Sequence, residues 1–428
     1  MLFDWQGDQV RVHPSHGVDA VVAVPGSKSL TNRWLMLAGL AKGQSTLRQP
    51  LLSEDTELMT GVLRACGVSI ETTNDVWTVV GNGILKQPDI PLFVGNAGTV
   101  MRFVTPVLSA FPIAFTIGGT DRMALRPIGD LVDALRVLGV KVSYLKQEGY
   151  PPLSVAGPIQ ARSVALRGDR SSQYLSGLLM ALPLVGGGTI ELSSQLVSRS
   201  YVEMTLACMA RFGVQVTVPD AFDVFEVPAG HYMAQEIAVD GDASSASYWF
   251  GLPLMLGSAS VRVTNVHRDS HQGDMGLIDV LAQMGAEVRA HETGITVKAS
   301  QLKGVEVDMT TMSDVAPTLM VIATRASSPT TITGIGHIRI KECDRIATMQ
   351  RAFDQLGLRM ESGPDWVKVW PGRVKTPAVL DPQEDHRMAM CFALLGLADG
   401  GVTIQDGHCV DKTYPTFYNE LTEILGRA

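Results

Sequence analysis

One phrase recurs along this sequence and constrains its fold more than any other feature: an amphipathic helix pattern, then a glycine, then an alternating strand pattern. It reads Leu63-Arg-Ala-Cys-Gly67-Val-Ser-Ile, Leu135-Arg-Val-Leu-Gly139-Val-Lys-Val, Met209-Ala-Arg-Phe-Gly213-Val-Gln-Val, Leu281-Ala-Gln-Met-Gly285-Ala-Glu-Val, Phe353-Asp-Gln-Leu-Gly357-Leu-Arg-Met and Glu423-Ile-Leu-Gly426. The copies follow one another at about 70 residues, a period that marks a repeated supersecondary unit. A glycine in this place suits the left-handed residue that ends a helix, so all six are expected in that conformation.

Every unit carries a second helix pattern that opens on a small or polar residue and is apolar nearly all round. The six openings are Ser29, Gly98, Ser172, Ser244, Asp314 and His386, with bodies such as Phe103-Val-Thr-Pro-Val-Leu and Met388-Ala-Met-Cys-Phe-Ala-Leu-Leu. A helix without a polar face is buried on all sides. A unit of about 70 residues cannot bury such a helix alone, so neighbouring units must share a core. The expected fold is therefore α/β, with six βαβαββ repeats, three to each of two lobes. Pro25-Gly26 and Val239-Asp240-Gly241-Asp242 are the candidate crossings. They predict one lobe from 1–24 plus 242–428, a second from 25–241, and a hinge between them.

Composition narrows the function. The 428 residues are 46% hydrophobic, and 35 Lys and Arg against 43 Asp and Glu give a formal net charge of −8. That balance argues against nucleic acid or an anionic membrane as partner, so an anion site has to be built locally. Cys66, Cys208, Cys343, Cys391 and Cys409 form no C-x-x-C pair. This points to a reducing, cytoplasmic location without a disulfide framework or structural zinc. The start shows no basic segment followed by an apolar one, and the longest apolar runs are broken by Pro or Gly, so neither a signal peptide nor a membrane span is expected. Pro25-Gly-Ser-Lys-Ser-Leu-Thr-Asn-Arg33 has the Gly, Lys and Ser of a nucleotide loop but not its spacing, and no His-Glu-x-x-His motif is present. No metal and no cofactor are expected.

The openings of the apolar helices collect the chemistry. Lys28, Ser29 and Arg33 lie at the first; Asn96, Gly98, Thr99 and Arg102 at the second; Ser171, Ser172 and Gln173 at the third. Asp242, Asp314, and the run Asp385, His386 and Arg387 open the other three. Free N–H groups and helix dipoles at such starts attract anions, so the expected ligands carry phosphate or carboxylate. A single Ser or Asp there is ordinarily a cap worth about 1 kcal/mol. Lys28, Arg33 and Arg102 are harder to read that way, because a cation in the first turn opposes the dipole unless an anion compensates it. Read as one helix, Lys341 and Arg345 stand at i and i+4 on one face with Glu342 beside them. Arg126 and Lys412 complete the set of candidate cations, and alone each of these segments reads equally well as a solvated charged turn.

Together these segments resemble the 5-enolpyruvylshikimate-3-phosphate synthase family of enolpyruvyl transferases. The likeness rests on Pro25-Gly-Ser-Lys-Ser-x-x-Asn-Arg33, Gly95-Asn-Ala-Gly-Thr99-x-Met-Arg102, Arg126-Pro-Ile-Gly129, Ser171-Ser-Gln173, Gly241-Asp-Ala-Ser-Ser-Ala-Ser-Tyr248, Lys341-Glu-x-Asp-Arg345, Asp385-His-Arg-Met-Ala-Met390 and Asp411-Lys-Thr413, in family order over nearly the whole chain. The resemblance implies a two-lobed inside-out α/β barrel with the active site in the cleft between lobes, and a monomer acting on two small molecules. By the same resemblance shikimate 3-phosphate is held by Lys28, Ser29, Arg33, Ser171, Ser172, Ser198, Tyr201, Asp314, His337 and Lys341. Phosphoenolpyruvate is held by Lys28, Asn96, Gly98, Arg126, Gln173, Arg345, Arg387 and Lys412. Asp314, Glu342 and Lys28 are the implied catalytic residues.

The sequence departs from the family pattern in places. His337 stands where some members carry Asn, Phe103 where several carry Pro, and Ala124-Leu125 where a charged pair is often found. The sister enzymes that use UDP-N-acetylglucosamine usually carry a reactive Cys just before the Arg126 segment, and Gly118-Gly-Thr-Asp-Arg-Met-Ala-Leu-Arg126 has none. A ring-like DNA clamp is disfavoured by the charge balance, and a sugar-phosphate binding module without turnover is the remaining alternative.

Overall fold

The computed structural model describes residues 2–17, 19–257 and 260–426. The chain forms two compact units: a continuous one, Gly26–Asp240, and a discontinuous one made of Met1–Pro25 and Gly241–Ala428. Each has its own apolar core.

The continuous unit holds three sheets with one plan, a parallel pair of strands followed by antiparallel neighbours. The first runs Glu236–Ala238, Lys42–Arg48, Val76–Asn82, Ser69–Thr72, and the second Leu92–Phe93, Ala114–Gly118, Leu153–Ala156, Lys141–Tyr144. The third has only Ser163–Leu166, Gly188–Leu192 and Val224–Val227, with an isolated bridge from Thr217 to Glu226 on its far side. In the discontinuous unit the plan repeats as Ala20–Val22, Ser260–Val263, Ile295–Lys298, Glu287–Ala290, and again as Glu306–Asp308, Thr330–Thr333, Val367–Val369, Met360–Ser362. Its last sheet joins Ala378–Leu380 and Val402–Ile404 to the N-terminal hairpin of Gln9–Val12 and Phe3–Gln6.

The repeats are therefore not all consecutive in the chain, as a simple sixfold reading would have them. Ala20–Val22 precedes the helix Lys28–Leu40 but pairs with Ser260–Val263, while Glu236–Ala238 precedes the helix Ala243–Leu256 but pairs with Lys42–Arg48. At each crossing the strand stays with the unit that the chain is leaving. This satisfies the edge N–H and C=O groups of both sheets, which would otherwise face no partner.

Six helices run through the cores: Lys28–Leu40, Gly98–Leu108, Ser172–Ala181, Ala243–Leu256, Ala316–Ala323 and His386–Asp399. All eleven residues of Gly98–Leu108 and all eight of Ala316–Ala323 are buried. Burying one Leu, Ile, Met or Phe side chain contributes roughly 1.5–3 kcal/mol, so these apolar bodies supply much of the drive to fold. Local chemistry sets their starts. The first N–H groups of four of them are met by Ser27 Oγ (from Leu30 N, 3.4 Å), Ser171 Oγ (from Gln173 N, 3.3 Å), Asp242 Oδ1 (from Ser245 N, 2.8 Å) and Asp385 Oδ1 (from Arg387 N, 2.9 Å). The second helix of each repeat is half-exposed, as in Glu54–Ala65 or Arg345–Leu356.

Five of the repeated glycines adopt the expected left-handed conformation, with φ of +88° at Gly67, +89° at Gly139, +91° at Gly213, +106° at Gly285 and +70° at Gly357. Gly426 does not: its φ is −79°, and its N–H continues the helix by donating to Thr422 O at 2.9 Å. The first five must turn the chain back into a strand.

The helices Gly98–Leu108 and Ser172–Ala181 approach so closely that a methyl group on Gly177 would collide with Arg102 O and with Pro106 Cγ. Gly177→Ala is expected to lower stability by about 1–3 kcal/mol through this overpacking. Urea unfolding is the check, and an unchanged midpoint would contradict the close approach.

Candidate active site

In the continuous unit, the polar groups at the helix starts hold one another. Arg126 Nη1 donates to Asn96 O at 2.8 Å and to Asn96 Oδ1 at 3.1 Å, which fixes its guanidinium over Gly98. A Cβ on Gly98 would collide with Arg126 Nη2 and with Arg102 Nη1, so the absence of a side chain is what lets both cations crowd the start of this helix. Arg102 Nη2 and Tyr174 Oη both donate to Pro127 O, at 3.1 and 2.6 Å, and Gln173 Nε2 donates to Thr99 Oγ1 at 3.2 Å. These bonds tie the second and third helix starts to the Arg126-Pro127 loop. The structure thus places Arg126 on Asn96 beside Gly98, while Gln173 reaches Thr99 in the first turn of the helix that Gly98 opens.

Lys28 opens the first buried helix, and its ammonium lies 3.5 Å from Oδ2 of the buried Asp55. That carboxylate supplies compensation for a cation at a helix N-terminus. Sequence reasoning missed it: Asp55 reads as an ordinary acidic residue in the first turn of Glu54–Ala65, and only the tertiary fold carries it to Lys28. Arg33 sits deeper than expected for a surface-facing ligand, only 1% exposed. Its Nε donates to Thr205 Oγ1 (2.8 Å), Nη1 to Ser29 O (2.9 Å) and Nη2 to Tyr201 O (2.9 Å). Its guanidinium carbon also lies 5.1 Å from the centre of the Phe103 ring. Burial pushes the Arg33 guanidinium down to about 10, where it still carries its charge at neutral pH. The Ser171 hydroxyl is engaged as a helix cap. Ser198 is buried and holds a left-handed backbone, φ +52° and ψ +44°, just before the helix Arg199–Arg211. A non-glycine residue held there by its surroundings is a common mark of a functional position.

In the discontinuous unit, the expected residues form a denser cluster around Asp314. Its Oδ1 receives Lys341 Nζ at 3.3 Å and Arg345 Nη1 at 3.0 Å, and its Oδ2 receives Arg387 Nη2 at 3.1 Å. Glu342 is paired with Arg345 Nη2 at 2.9 Å and Lys412 Nζ at 3.4 Å. Asp385 caps its helix and accepts from Arg345 Nε at 2.7 Å. Arg345 therefore serves three carboxylates. Burial would lower its pKa, but Asp385, Glu342 and Asp314 together drive it above the ordinary arginine value. Burial likewise raises the pKa of Asp314, yet Lys341, Arg387 and Arg345 overcome that and hold its carboxyl well below the usual carboxylate range. The cluster joins Asp314, Lys341, Glu342, Arg345, Arg387 and Lys412.

His337 joins through a neighbour, its Nε2 lying 2.7 Å from Ser313 Oγ. Burial, reinforced by the Lys341 charge, pushes its imidazole down to about 4, so it is neutral at physiological pH.

One local expectation fails. Lys341 and Arg345 do not share a helical face: Lys341 follows the 3-10 turn Gly336–Ile340 with φ −80° and ψ −139°, and the helix begins at Arg345. Asp344 is the cause, because its Oδ1 accepts from Ala347 N at 2.9 Å and fixes the helix start after it. Lys341 reaches Asp314 from the bend between that turn and the helix instead. Asp314 itself lies in the 3-10 turn Ser313–Val315, one step before the helix Ala316–Ala323.

Fold and site together define a class, an α/β protein that gathers cations and carboxylates at the starts of buried helices and is suited to anionic small molecules. Comparison with known proteins narrows that class. The family model described as EPSP synthase (3-phosphoshikimate 1-carboxyvinyltransferase) matches residues 12–421. A 3-phosphoshikimate 1-carboxyvinyltransferase of Shewanella amazonensis is 42% identical over 97% of this chain and 99% of its own length. One from Pseudoalteromonas translucida is 39% identical with the same coverage. Among solved structures, an EPSP synthase from Acinetobacter baumannii is similar with a TM-score of 0.81 and 27% identity, covering 97% of this chain and 98% of that one. The chain belongs to the EPSP synthase (3-phosphoshikimate 1-carboxyvinyltransferase) family.

Proposed function

We propose that the protein transfers the enolpyruvyl group of phosphoenolpyruvate to the 5-hydroxyl of shikimate 3-phosphate and releases phosphate, a step of chorismate and aromatic amino acid biosynthesis. Family membership supports the reaction, and the observation that carries it at the residue level is the cluster of Asp314, Glu342, Lys341, Arg345, Arg387 and Lys412. In this reading phosphoenolpyruvate is held by Lys28, Asn96, Gly98, Arg126, Gln173, Arg345, Arg387 and Lys412. Shikimate 3-phosphate is held by Lys28, Ser29, Arg33, Ser171, Ser172, Ser198, Tyr201, Asp314, His337 and Lys341.

The chemistry follows from these groups. Glu342 donates a proton to the methylene carbon of phosphoenolpyruvate, and positive charge develops at C2. The 5-hydroxyl oxygen forms a bond to C2 while Asp314 takes the hydroxyl proton. The bond from C2 to the phosphate oxygen then breaks, the departing phosphate is assisted by Lys28 and ends with the proton that Asp314 took, and Glu342 recovers a proton from the methyl group to restore the double bond. An Asp314 carboxylate surrounded by three cations is a weak base. When anionic substrates draw on Lys341, Arg345 and Arg387, that hold on Asp314 weakens and its affinity for a proton rises. The cations also offset the repulsion between two polyanions held side by side. No described helix is long and apolar enough to cross a membrane. A cytoplasmic monomer with five free thiols completes the reading.

The test is phosphate release from phosphoenolpyruvate, run with shikimate 3-phosphate and separately with UDP-N-acetylglucosamine. Turnover with the first alone is expected, and turnover only with the second would overturn the assignment.

Two variants probe the two units. Gly98→Ala places a methyl group against Arg102 and Arg126. It should raise the KM for phosphoenolpyruvate about tenfold or more while the KM for shikimate 3-phosphate changes far less, since displacing Arg126 breaks its bonds to Asn96. Equal changes in both would contradict the role given to Arg126. For His337, already neutral above about pH 4, His337→Asn should leave the shape of the pH profile between pH 5 and 8 unchanged. A lost limb in that range would show that the imidazole titrates there.

A further inference from the structure

Asp274 lies outside every residue set discussed so far, yet its surroundings connect it to the cluster. It is 4% exposed, in the 3-10 turn Gly273–Gly276, and its Oδ2 accepts a short hydrogen bond from the buried Ser244 hydroxyl. The preceding residue fastens this turn to the start of the helix Ala243–Leu256: Gln272 Nε2 donates to Gly241 O at 2.8 Å and Gln272 Oε1 accepts from Ala243 N at 3.1 Å. On its other side the turn packs against Ser313–Val315, so closely that a Cβ on Gly276 would stand 3.0 Å from Met312 Sδ. Asp274 is thus locked between the fourth buried helix and the turn that carries Asp314. The charged groups acting on it are Asp314 from that turn, Arg387 from the helix His386–Asp399, and Asp242 at the start of Ala243–Leu256.

The ion pairs described above set four cations, Lys341, Arg345, Arg387 and Lys412, against three carboxylates, Asp314, Glu342 and Asp385. A fourth carboxylate beside them, when ionised, lowers the positive charge that remains for an incoming anion. We propose that Asp274 is a positioning residue for the reaction, which makes the cluster receptive to anionic substrate when its carboxyl is protonated and less so when it is ionised. The pairing with Ser244 is compatible with both states, because a hydroxyl can donate to a carboxylate or accept from a carboxylic acid. Burial pushes the Asp274 carboxyl up to about 6 and the negative charge of Asp314 adds to the push, while Arg387 and the Ser244 hydroxyl act the other way. A bound anion, by adding negative charge nearby, favours the protonated form further.

This inference rests on the reading that Arg345, Arg387 and Lys412 hold phosphoenolpyruvate. The KM for phosphoenolpyruvate is measured from pH 5 to 8 at saturating shikimate 3-phosphate, for the wild type and for Asp274→Asn and Asp274→Ser. Dividing the wild-type value by the variant value cancels the ionisation of the substrate. The ratio should stand near one at pH 5 and rise mostly between about pH 6 and 7 to about tenfold at pH 8, the size of a coupling worth one pKa unit. In the wild type alone, the inhibition constant of sulfate competing with phosphoenolpyruvate should rise by the same factor, since the charge of sulfate is constant over this range. A flat sulfate constant, or a KM ratio that stays constant or falls with pH, would overturn the role of Asp274. Absence of wild-type turnover would instead overturn the reading on which it rests.

Discussion

Asp314→Ala should reduce turnover by about 10³-fold or more, within the range for removal of a positioned proton-transfer group, while the variant still binds both anions. The separation of effects follows from the cluster. Asp314 accepts Lys341, Arg345 and Arg387 at 3.0–3.3 Å, so its removal takes away the hydroxyl's proton acceptor and leaves those cations facing the substrates with one less counter-charge. Calorimetry should find phosphoenolpyruvate bound as tightly as in the wild type or more so, and shikimate 3-phosphate still bound but weaker by the contact that Asp314 supplies. Stability should also lose its dependence on this group. Because the folded carboxyl titrates well below its ordinary value, its stabilising contribution is present above the unfolded pKa and is lost as pH falls through the folded one. The acid unfolding of the variant should therefore be less steep. Turnover within tenfold of the wild type would remove Asp314 from the mechanism. Loss of ligand binding together with turnover would mean that it acts in binding alone.

Arg345→Met is expected to be the most damaging substitution for the fold of the discontinuous unit. Arg345 is 1% exposed and engages Asp385, Glu342 and Asp314 at once. Methionine fills part of the space but leaves buried carboxylates without their shared cation, a change that costs about 3–5 kcal/mol when a buried pair is broken. The sign of its pH dependence is fixed by the same argument. Stranded carboxylates take up protons as the solution is acidified, so the penalty should be largest at neutral pH and should shrink toward pH 5. Urea unfolding at the two pH values measures both effects. A loss under 1 kcal/mol at neutral pH, or a loss that grows on acidification, would contradict a charge-based role. The variant should also show no measurable turnover.

Much of this architecture is legible in the sequence because it repeats. The glycines from Gly67 to Gly357 mark helix ends by a conformational requirement that other residues meet poorly, and the apolar bodies of the core helices announce their burial. Gly426 misled because the motif was read without the strand that gives the glycine its purpose. The pairing of Ala20–Val22 with Ser260–Val263 is legible only to the level of the lobe, 1–24 with 242–428, because strand partners distant in sequence leave no local trace of which strand meets which. At the site, charged residues at helix starts were readable, since a cation against a dipole asks for an explanation. Their compensating partners were not. Asp55 meets Lys28, Thr205 meets Arg33, and Asp274 meets Ser244 only through tertiary packing. Lys341 shows a signal that was present but outweighed: Asp344 before an amphipathic run is a helix cap, and the i, i+4 reading passed through it.

The central claim is that these charged groups hold two anions and transfer carbon between them, and a quenched reaction tests it most directly. Phosphoenolpyruvate labelled with ¹³C at C2 is mixed with shikimate 3-phosphate and excess enzyme, and phosphate and carbon products are followed together by NMR. One enol ether at the 5-oxygen is expected for every phosphate released. Phosphate accompanied by free pyruvate, with the 5-hydroxyl unaltered, would contradict it.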